Sequence, residues 1–434
     1  MLAILVTHPI QYQVPLWQML ARDGHVPFEV WYLSEHATRL SRDREFGRDF
    51  AWDLDMLEGY PHRFLITSAG ASPNTPLRTW VFESLSVLFT ENKIKVLWVQ
   101  GWQVAAYWQA VWAAHKAGVQ VWLRGESNIM APTPWWKNAI KRPLLGQLFR
   151  RVDHFLCIGT ANRELYRSYG VPESKLHMTP YAVDNERFAR QANQIRKSKL
   201  EIRKQWKIPE ESFCVLFCGK FIPKKRPLDL IKAAQLLLRS HPELNVHLLF
   251  AGSGELGAGL RAQCDVAFDA EATPTTDHRL QTTDHFSEAP GLNPDNRELI
   301  TLRAVGPDEP EADNAKPAAT FTGFLNQTQV SKAYVAADVL VLPSDYAETW
   351  GLVVNEAMAS GLPSIISDHC GCAEDLGLIA PNAVYECGNI PELASGISLL
   401  RNDHSPFSFE EPLVRYSFNE TVRGVVSAWK ELLN

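Results

Sequence analysis

The stretch ADVLVLPSDYAETWGLVVNEAMASGLPSIISD, from Ala337 to Asp368, contains a strand, a loop, a helix and a second strand in order. The apolar runs at its two ends are typical of buried strands. Between them, the pattern predicts a helix that ends near Ser360 and Gly361, with Pro363 beyond it. This order predicts a βαβ unit in a parallel sheet.

The same alternation of strands and amphipathic helices extends along the whole chain. The first half offers LAILVT, PFEVWYL, IKVLWVQ, VQVWLRG and DHFLCIG as strands, and the second half offers FCVLFCGK, NVHLLFAGSG, ATFTGF, ADVLVLPS and LPSIISD. No series of eight equal units is visible, which argues against a single barrel. The fold class predicted is therefore α/β, with two Rossmann-like βαβ domains.

The length of 434 residues suits two domains of roughly 200 residues each. A basic segment, Arg190 to Lys207, has seven basic residues and one acidic residue, and it predicts a solvated linker helix between the domains. A segment rich in Asp, Glu, Thr, Pro and Ala predicts a flexible insertion in the second half. The expected units are an N-terminal domain at 1–190, a C-terminal domain at 208–416 with the insertion at 265–316, and a last helix at 417–434 that packs back on the first domain.

Composition excludes several classes of protein. Apolar residues make up 46% and charged residues 21%, as in an ordinary globular domain. The net charge of −6 argues against nucleic acid as a partner. Seven cysteines without paired CxxC motifs indicate reduced thiols in a cytoplasmic protein.

Two apolar segments require a decision about membranes. The first residues, MLAILVTHPIQ, have no basic lead-in and are too short an apolar run for a secretory signal, so they are interpreted as a first strand. The uncharged stretch from Val96 to Ala114 approaches the length of a membrane span. Its glutamines and glycine favour a strand, a turn and a buried helix instead.

Two carboxylates in the opening stretch, Glu348 and Glu356, lie eight residues apart. On one continuous helix they would point about 80° apart and lie roughly 12 Å from each other. With Glu348 in the loop and Glu356 inside the helix, both can face one ligand, and the helix amides of Gly351, Leu352 and Val353 can bind a phosphate between them. A nucleotide-sugar fits this description. An acidic loop beside a solvated helix position would explain the same spacing.

A second group of candidate residues lies in LFCGKFIPKKRPLDLIKAA. Here a strand is followed by Gly219 and Lys220, and then by Lys225 just before a proline that opens a helix. Cations at the carboxyl end of a strand suit a diphosphate in the crevice of an open parallel sheet. A basic loop exposed to water is the competing interpretation.

Taken together, the Gly-Lys pair with a second lysine five residues later, AGSGE, FTGFL and ETWGLVVNEAMASGLP resemble the retaining glycosyltransferases of the large group-1 family (family 4), which share the two-domain GT-B fold. The resemblance is collinear from Phe213 to Asp375 except for the insertion. Over the first 190 residues it is limited to YAVDNERF and the strand order. It implies two domains that face each other across a cleft.

The resemblance also implies roles for individual residues. Glu348 would contact hydroxyls of the donor sugar, Glu356 the ribose, and Lys220 and Lys225 the diphosphate. The residues implied to border the donor elsewhere are Gly219, Gly323, Phe324, Leu325, Trp350, Gly351, Leu352 and Val353. Trp350 stands where the family more usually has phenylalanine, which puts the shape around the sugar in question.

No carboxylate is marked as a covalent nucleophile. The family resemblance therefore implies front-face substitution that retains the anomeric configuration, with Lys220, Lys225 and Glu348 as catalytic residues. No metal and no cofactor beyond the nucleotide-sugar co-substrate is expected, because the one Asp-x-Asp, Asp53 to Asp55, lies in the first half. Cys370 and Cys372 lack a second pair of metal ligands.

The N-terminal half is expected to bind the acceptor, a sugar or a lipid-linked sugar. The loop after the first strand, THPIQYQVPLW, offers His8, Gln11 and Tyr12 to the cleft, and LRGESN offers Arg124 and Glu126. Similar stretches occur in bacterial family members associated with sugar-polymer assembly, which favours cell-envelope polysaccharide or glycoconjugate biosynthesis. A turn role for His8 and an ion pair between Arg124 and Glu126 are the structural alternatives.

The segment PWWKNAIKRPLLGQLFRRVDHF mixes tryptophans with lysines and arginines. It could lie on the anionic inner face of a membrane as a peripheral contact, or it could pack within the domain, with Pro143 interrupting a long helix. For the whole chain, the main interpretation is a hexosyltransferase that uses a nucleotide-sugar. The alternatives are a sugar-nucleotide epimerase of similar fold and an inactive nucleotide-sugar-binding protein.

Overall fold

The computed structural model describes residues 1–36, 41–43, 48–50, 53–68, 75–130, 132–271, 316–346, 348–403 and 405–433. Within these ranges the chain forms two seven-stranded parallel sheets and one small antiparallel hairpin. This confirms the predicted α/β fold of two Rossmann-like domains.

The first sheet occupies the N-terminal half and has the strand order β5-β2-β1-β6-β7-β8-β9. The strands of this half are β1 (Leu2–Val6), β2 (Phe28–Tyr32), β3 (Ser41–Asp43), β4 (Arg48–Phe50), β5 (His62–Phe64), β6 (Val96–Val99), β7 (Gln120–Leu123), β8 (His154–Cys157) and β9 (Leu176–Met178). Strands β3 and β4 form the separate hairpin.

The second sheet has the order β12-β13-β11-β10-β14-β15-β16. Its strands are β10 (Phe213–Cys218), β11 (Val246–Ala251), β12 (Asp265–Asp269), β13 (Ala318–Gly323), β14 (Val339–Leu342), β15 (Ser364–Ser367) and β16 (Ala383–Tyr385). The predicted insertion at 265–316 therefore begins with an edge strand, β12, which pairs with β13. Its exposed, partly acidic residues hid that strand in the sequence, and residues 272–315 lie outside the described ranges.

Helices cover both faces of each sheet, as parallel strands require. They are α1 (Val14–Asp23), α2 (Leu85–Glu91), α3 (Ala105–Ala117), α4 (Trp135–Phe149), α5 (Thr160–Ser168), α6 (Asn185–Ile195), α7 (Lys199–Gln205), α8 (Pro227–Ser240), α9 (Gly257–Ala262), α10 (Ser331–Ala336), α11 (Leu352–Ala359), α12 (Ala373–Leu376), α13 (Ile390–Asn402), α14 (Glu410–Arg415) and α15 (Phe418–Leu433). The uncharged stretch at 96–114 forms β6 and most of α3, as predicted. No helix in the described part of the chain has the length and apolarity to cross a bilayer.

The basic segment between the sheets is helical, but it is less solvated than the predicted linker helix. Helices α6 and α7 both pack against α10 of the second half. Arg203 is buried, and it donates hydrogen bonds to the Ala336 carbonyl at 2.8 Å and to the Asp338 carboxylate at 2.6 Å. A basic residue that is fully paired in this way stabilises the C-terminal domain instead of lying in water.

The last helix, α15, returns to the first domain. It packs against α1, β8 and β9, where Val422, Val425 and Trp429 join the apolar core on one face of the N-terminal sheet. The N-terminal domain thus contains chain from both ends of the sequence.

Candidate active site

Both sheets place their candidate residues at the point where the strand order reverses. In the second sheet β10 lies between β11 and β14, so the loops after β10 and β14 diverge and leave a crevice at the carboxyl ends of the strands. Lys220 and Lys225 follow β10, and Glu348 follows β14. In the first sheet β1 lies between β2 and β6, and the loop after β1 contains His8, Gln11 and Tyr12.

Glycines form the floor of the C-terminal crevice. Gly252 has φ of +147°, and a Cβ on it would lie 1.9 Å from the Gly219 carbonyl oxygen, so no other residue fits there. The Gly219 amide donates to the Ala251 carbonyl and the Gly252 amide to the Gly323 carbonyl, both at 2.9 Å. These bonds hold the ends of β10, β11 and β13 in one surface, which Phe324 and Leu325 extend as half-buried side chains.

Lys225 and Glu348 form an ion pair at the mouth of this crevice. Their side chains are only 23% and 13% exposed, so the pair is shielded from water on most sides. Ser344 donates a further hydrogen bond to the same carboxylate oxygen at 3.2 Å. The two residues are 123 positions apart in sequence, and the neighbouring positions of β10 and β14 bring them together.

The N-terminus of α11 lies between the two glutamates. Gly351 caps it with φ of +115°, and Val354 donates the first helical hydrogen bond to the Gly351 carbonyl at 2.9 Å. The preceding amides, including those of Leu352 and Val353, therefore belong to the unpaired first turn, which favours an anion. A Cβ on Gly351 would meet Leu342 and Cys372, so the glycine is required by packing and backbone conformation.

Glu356 lies inside α11 and is 2% exposed. It accepts a hydrogen bond from the Tyr334 hydroxyl, while its second oxygen, Oε1, has no hydrogen-bond partner. Burial raises the pKa of Glu356 to about 7, against the lowering by its hydrogen bonds to Tyr334 and Tyr12 and by the charge of Arg187. A buried carboxylate with a free oxygen is suited to accept hydrogen bonds from a ligand hydroxyl.

Tyr12 comes from the opposite domain, yet its phenol lies close enough to Glu356 to lower the pKa of that carboxyl group. Its ring also packs against the core that includes α11. The loop after β1 thus brings Tyr12, an acceptor-side candidate, to the other side of the cleft. Gln11, the adjacent candidate, is half-buried in the same loop.

Trp350, which the resemblance implies borders the donor, has its ring buried at the domain interface. The indole is 2% exposed and packs near Gly159, Tyr181 and Tyr416, and its N–H donates to Asn355 at 2.9 Å. A ring buried among residues of both domains stabilises their contact. Its size relative to phenylalanine fills this interface and leaves the shape around a sugar to other residues.

The acceptor-side candidates from β7 form a buried cluster. Arg124 is 2% exposed, donates to the Thr179 carbonyl at 3.4 Å and lies 4.9 Å from the centre of the Tyr181 ring. The Tyr181 hydroxyl donates to Glu126 at 2.7 Å. Glu126 thus pairs with a tyrosine, and its charge also acts on Arg124.

His8 is partly buried beside this cluster. Its Nδ1 lies 2.9 Å from the Thr7 hydroxyl, and its ring packs edge-on against His36. Burial lowers the pKa of His8 to about 4, so the ring is neutral at pH 7. A neutral imidazole can accept or donate one hydrogen bond to an acceptor hydroxyl.

Further contacts join the two domains around the cleft. Thr160 donates from its amide and its hydroxyl to the Asp375 carboxylate, and the Asn128 amide donates to the Thr349 carbonyl at 3.3 Å. Asp53 accepts hydrogen bonds from the amide and hydroxyl of Thr328. The Asp-x-Asp sequence therefore has a domain-bridging contact at its first residue.

Sequence reasoning missed three residues of this region. Tyr334 gave no signal, because an apolar position in a short helix is normally only core. Tyr181 stands in YAVDNERF, and Asp375 ends the collinear match, so the resemblance contained both without assigning them a role. Their function depends on partners more than 50 residues away, which spacing does not reveal.

The chain matches the sequence profiles of two known protein families. Residues 11–182 match the glycosyl transferase 4-like domain, and residues 308–413 match glycosyl transferases group 1. Together these two matches cover more than half of the chain.

Curated relatives agree with these profiles. D-inositol 3-phosphate glycosyltransferase 2 of Catenulispora acidiphila is 28% identical over 48% of this chain and 38% of its own length. An uncharacterized glycosyltransferase of Methanocaldococcus jannaschii is 22% identical over 62% of this chain and 57% of its own length. The chain thus spans only about 38% to 57% of these curated relatives.

Solved structures share the whole fold at low identity. A glycosyltransferase from Rickettsia africae covers 100% of the chain, and 98% of its own, with a TM-score of 0.62 and 12% identity. Anabaena HepE in complex with UDP and glucose covers 99% of both chains with a TM-score of 0.61 and 13% identity. These likenesses, with the two parallel sheets, show the GT-B fold. The two family matches show that the chain belongs to the group-1 glycosyltransferases of family 4.

Proposed function

We propose that the protein is a retaining glycosyltransferase that moves a hexose-type sugar from a nucleotide-sugar to an acceptor hydroxyl. The observation that carries the proposal is the ion pair of Lys225 and Glu348 at the mouth of the strand crevice, beside the buried, half-partnered Glu356. One end of this arrangement suits sugar hydroxyls, the other suits ribose hydroxyls, and cations and helix amides lie between them.

In this proposal the donor lies along the C-terminal crevice. The ribose donates hydrogen bonds to the free oxygen of Glu356, and the base borders Gly323, Phe324 and Leu325. The diphosphate binds the first turn of α11 together with Lys220 and Lys225. Since Lys225 is already paired with Glu348, binding exchanges part of one ion pair for another and keeps both charges partnered.

The proposed reaction is a front-face substitution. The bond between the anomeric carbon and the β-phosphate oxygen breaks, and the acceptor oxygen bonds to the same face of that carbon. The acceptor proton passes to the departing diphosphate, so no enzyme carboxylate needs to act as a nucleophile. Lys220 and Lys225 stabilise the negative charge that develops on the leaving group.

We propose further that this step needs no metal ion, because protein cations and helix amides face the diphosphate. Transfer that continues at full rate in excess chelator supports the proposal. Loss of transfer in chelator with recovery on adding Mn²⁺ contradicts it.

The acceptor is proposed to bind the N-terminal side, near Glu126, His8 and the Tyr181 hydroxyl. These groups offer hydrogen bonds at short range with little net charge, which suits sugar hydroxyls. A sugar-polymer or lipid-linked acceptor in cell-envelope polysaccharide or glycoconjugate biosynthesis is the class proposed.

Helix α4 is proposed to lie on an anionic membrane at its inner face. Pro143 does not end this helix, which continues from Trp135 to Phe149. Four apolar side chains on it are 51% to 83% exposed, and lysines flank them: Trp135, Trp136, Ile140, Leu144, Lys137 and Lys141. A groove of about 370 Å³ between α3 and α4 continues this apolar surface. Exposed tryptophans with lysines are suited to the interface of an anionic bilayer.

Vesicle sedimentation tests the membrane contact. The protein is expected to bind vesicles that contain phosphatidylglycerol and to bind pure phosphatidylcholine weakly. The double variant Trp135→Ser and Ile140→Ser should lose binding, and Leu399→Ser, a 71% exposed leucine of the C-terminal domain, should retain it. Equal binding by all three proteins contradicts the proposal.

A panel of UDP-, GDP- and ADP-sugars tests the main function. The true donor should raise the thermal midpoint, and incubation with a suitable acceptor should release the free nucleoside diphosphate. Conversion of the nucleotide-sugar to an epimer without release indicates the epimerase alternative. Stabilisation by a donor, with neither hydrolysis nor transfer to any acceptor sugar, indicates a binding protein.

A further inference from the structure

A second cluster of polar side chains lies on the N-terminal domain, away from the cleft. His154 is the first residue of β8, His177 is in the middle of β9, and Glu431 is near the end of α15. The carboxyl end of β8 leads to Gly159 beside the domain interface, so His154 lies at the opposite end of the strand.

The potential ligand atoms of this cluster are close together. His154 Nδ1 is 2.6 Å from His177 Nε2, and His177 Nε2 is 4.0 Å from Glu431 Oε2. All three residues have such an atom within 4.8 Å of the others, and no other group of three was found in the part of the chain that is described.

The chemistry of these atoms favours a transition-metal ion. Two imidazole nitrogens and one carboxylate oxygen are the ligand set of many three-residue zinc sites, which leave a further position for water. The nearby Lys175 directs its ammonium group to the Val152 carbonyl at 2.8 Å.

We propose that His154, His177 and Glu431 bind one divalent transition-metal ion, of which Zn²⁺ is the expected one. A hydrogen bond between the two imidazoles accounts for their contact but leaves Glu431 beyond hydrogen-bonding distance. An ion joins all three groups.

The site would have a structural role. Helix α15 follows the whole C-terminal domain in sequence and packs against β8 and β9 of the first domain. An ion shared by these strands and α15 fastens the last helix to the N-terminal sheet. The catalytic step proposed above is independent of this ion, because the site lies at the opposite ends of the strands.

Calorimetric titration of the full chain with Zn²⁺, after chelator treatment and dialysis, tests the proposal. The expected result is one ion per chain and a rise of the thermal midpoint by a few degrees in saturating Zn²⁺. Glu431→Gln should weaken binding at least about tenfold, because it removes a ligand with a 52% exposed side chain and leaves the core intact. His177→Gln should abolish saturable binding.

The matched control is His241→Gln, which removes the histidine of another His and Glu pair, His241 and Glu243, that lies on the surface. It should bind Zn²⁺ as the wild type does. Absence of saturable binding in the wild type means that the histidines form only a hydrogen-bonded pair and overturns the proposal. Binding that is unchanged in both the Glu431→Gln and His177→Gln variants overturns it as well. Donor binding in the metal-free protein is measured separately, so a failure of the glycosyltransferase function remains distinct.

Discussion

The two sides of the cleft have different electrostatic designs. On the C-terminal side, Lys225 and Glu348 form an ion pair that is largely shielded from water, and the Glu356 Oε1 has no hydrogen-bond partner. On the N-terminal side, Glu126 already accepts a hydrogen bond from Tyr181, Arg124 is buried under an aromatic ring, and His8 is neutral at pH 7. The first side is suited to a charged ligand and the second to a neutral one.

This difference has a consequence for where substitutions act. Changes on the C-terminal side should alter donor binding and the chemical step by large factors, because charges interact strongly in a shielded crevice. Changes on the N-terminal side should act on the acceptor alone and by smaller factors, because each removes a single hydrogen bond.

Lys225→Ala should have the largest effect on turnover. Removing a cation that stabilises the leaving diphosphate costs on the order of 3 kcal/mol, or roughly a hundredfold in rate. Nucleoside diphosphate release at saturating donor measures it, with Lys232→Ala, an exposed lysine of α8, as the matched control. Near-normal release from Lys225→Ala would contradict the prediction that charge on the C-terminal side dominates turnover.

Glu356→Gln should stabilise the ligand-free protein against unfolding while weakening donor binding. The pKa of Glu356 is raised from 4.5 to about 7 by burial, so the folded state holds its proton where the unfolded state has lost it. Stability from this group is full below pH 4.5 and falls as the pH rises to about 7. The variant lacks this fall, and it should exceed the wild type by about 3 kcal/mol at pH 8 and match it near pH 4.5.

Denaturant unfolding at the two pH values provides the measurement. The difference between the two proteins at each pH isolates this carboxyl, because all other titrating groups are shared. If the free energy of unfolding depends on pH equally in the wild type and in Glu356→Gln, burial does not raise the pKa of Glu356.

Gly159→Ala tests how the two sides are held together. A Cβ at this position would lie 2.1 Å from a ring carbon of Trp350, so the indole must shift at the domain interface. Overpacking of this kind lowers the free energy of unfolding by about 2 kcal/mol. It should also weaken donor binding, because the loop before Trp350 carries Glu348. Gly146→Ala in α4 has open space around the new methyl group and should not destabilise the protein. Equal thermal midpoints for the two variants would contradict this account of the interface.

Tyr181→Phe should have the smallest effect. It removes the hydroxyl that donates to Glu126 at 2.7 Å, at a cost of about 1 kcal/mol. The concentration of acceptor needed for half-maximal transfer should rise several-fold, with donor binding unchanged. A loss of donor affinity instead would place the donor partly on the N-terminal side.

The sequence predicted the C-terminal side better than the N-terminal side for a physical reason. The candidates on the C-terminal side belong to local strand, loop and helix patterns that can be recognised within a short stretch of sequence. They are Glu348, Glu356, Lys220 and Lys225. The contacts of Tyr12 with Glu356 and of Tyr181 with Glu126 depend on loops that meet only when two domains fold together.

The strand patterns in the sequence predicted the fold, but they did not reveal every strand at the edges of the sheets. Central strands such as β10 and β14 are continuous apolar runs because helices cover both of their faces. Edge strands such as β12 and β9 are short or exposed and resemble loops in sequence. The resemblance implies that Trp350 borders the donor, but only its contacts show that the indole packs among residues of both domains.

The central claim is that one donor spans Glu348 and Glu356. Calorimetric titration with the free nucleoside diphosphate and with the complete nucleotide-sugar tests it most directly, using Glu348→Gln and Glu356→Gln. Glu356→Gln should lower the affinity for both ligands by the same factor, because both contain the ribose. Glu348→Gln should weaken only the complete nucleotide-sugar, and it should leave the diphosphate as tight or tighter because Lys225 is released. Equal losses for both ligands in both variants, or no loss in either, would contradict the claim.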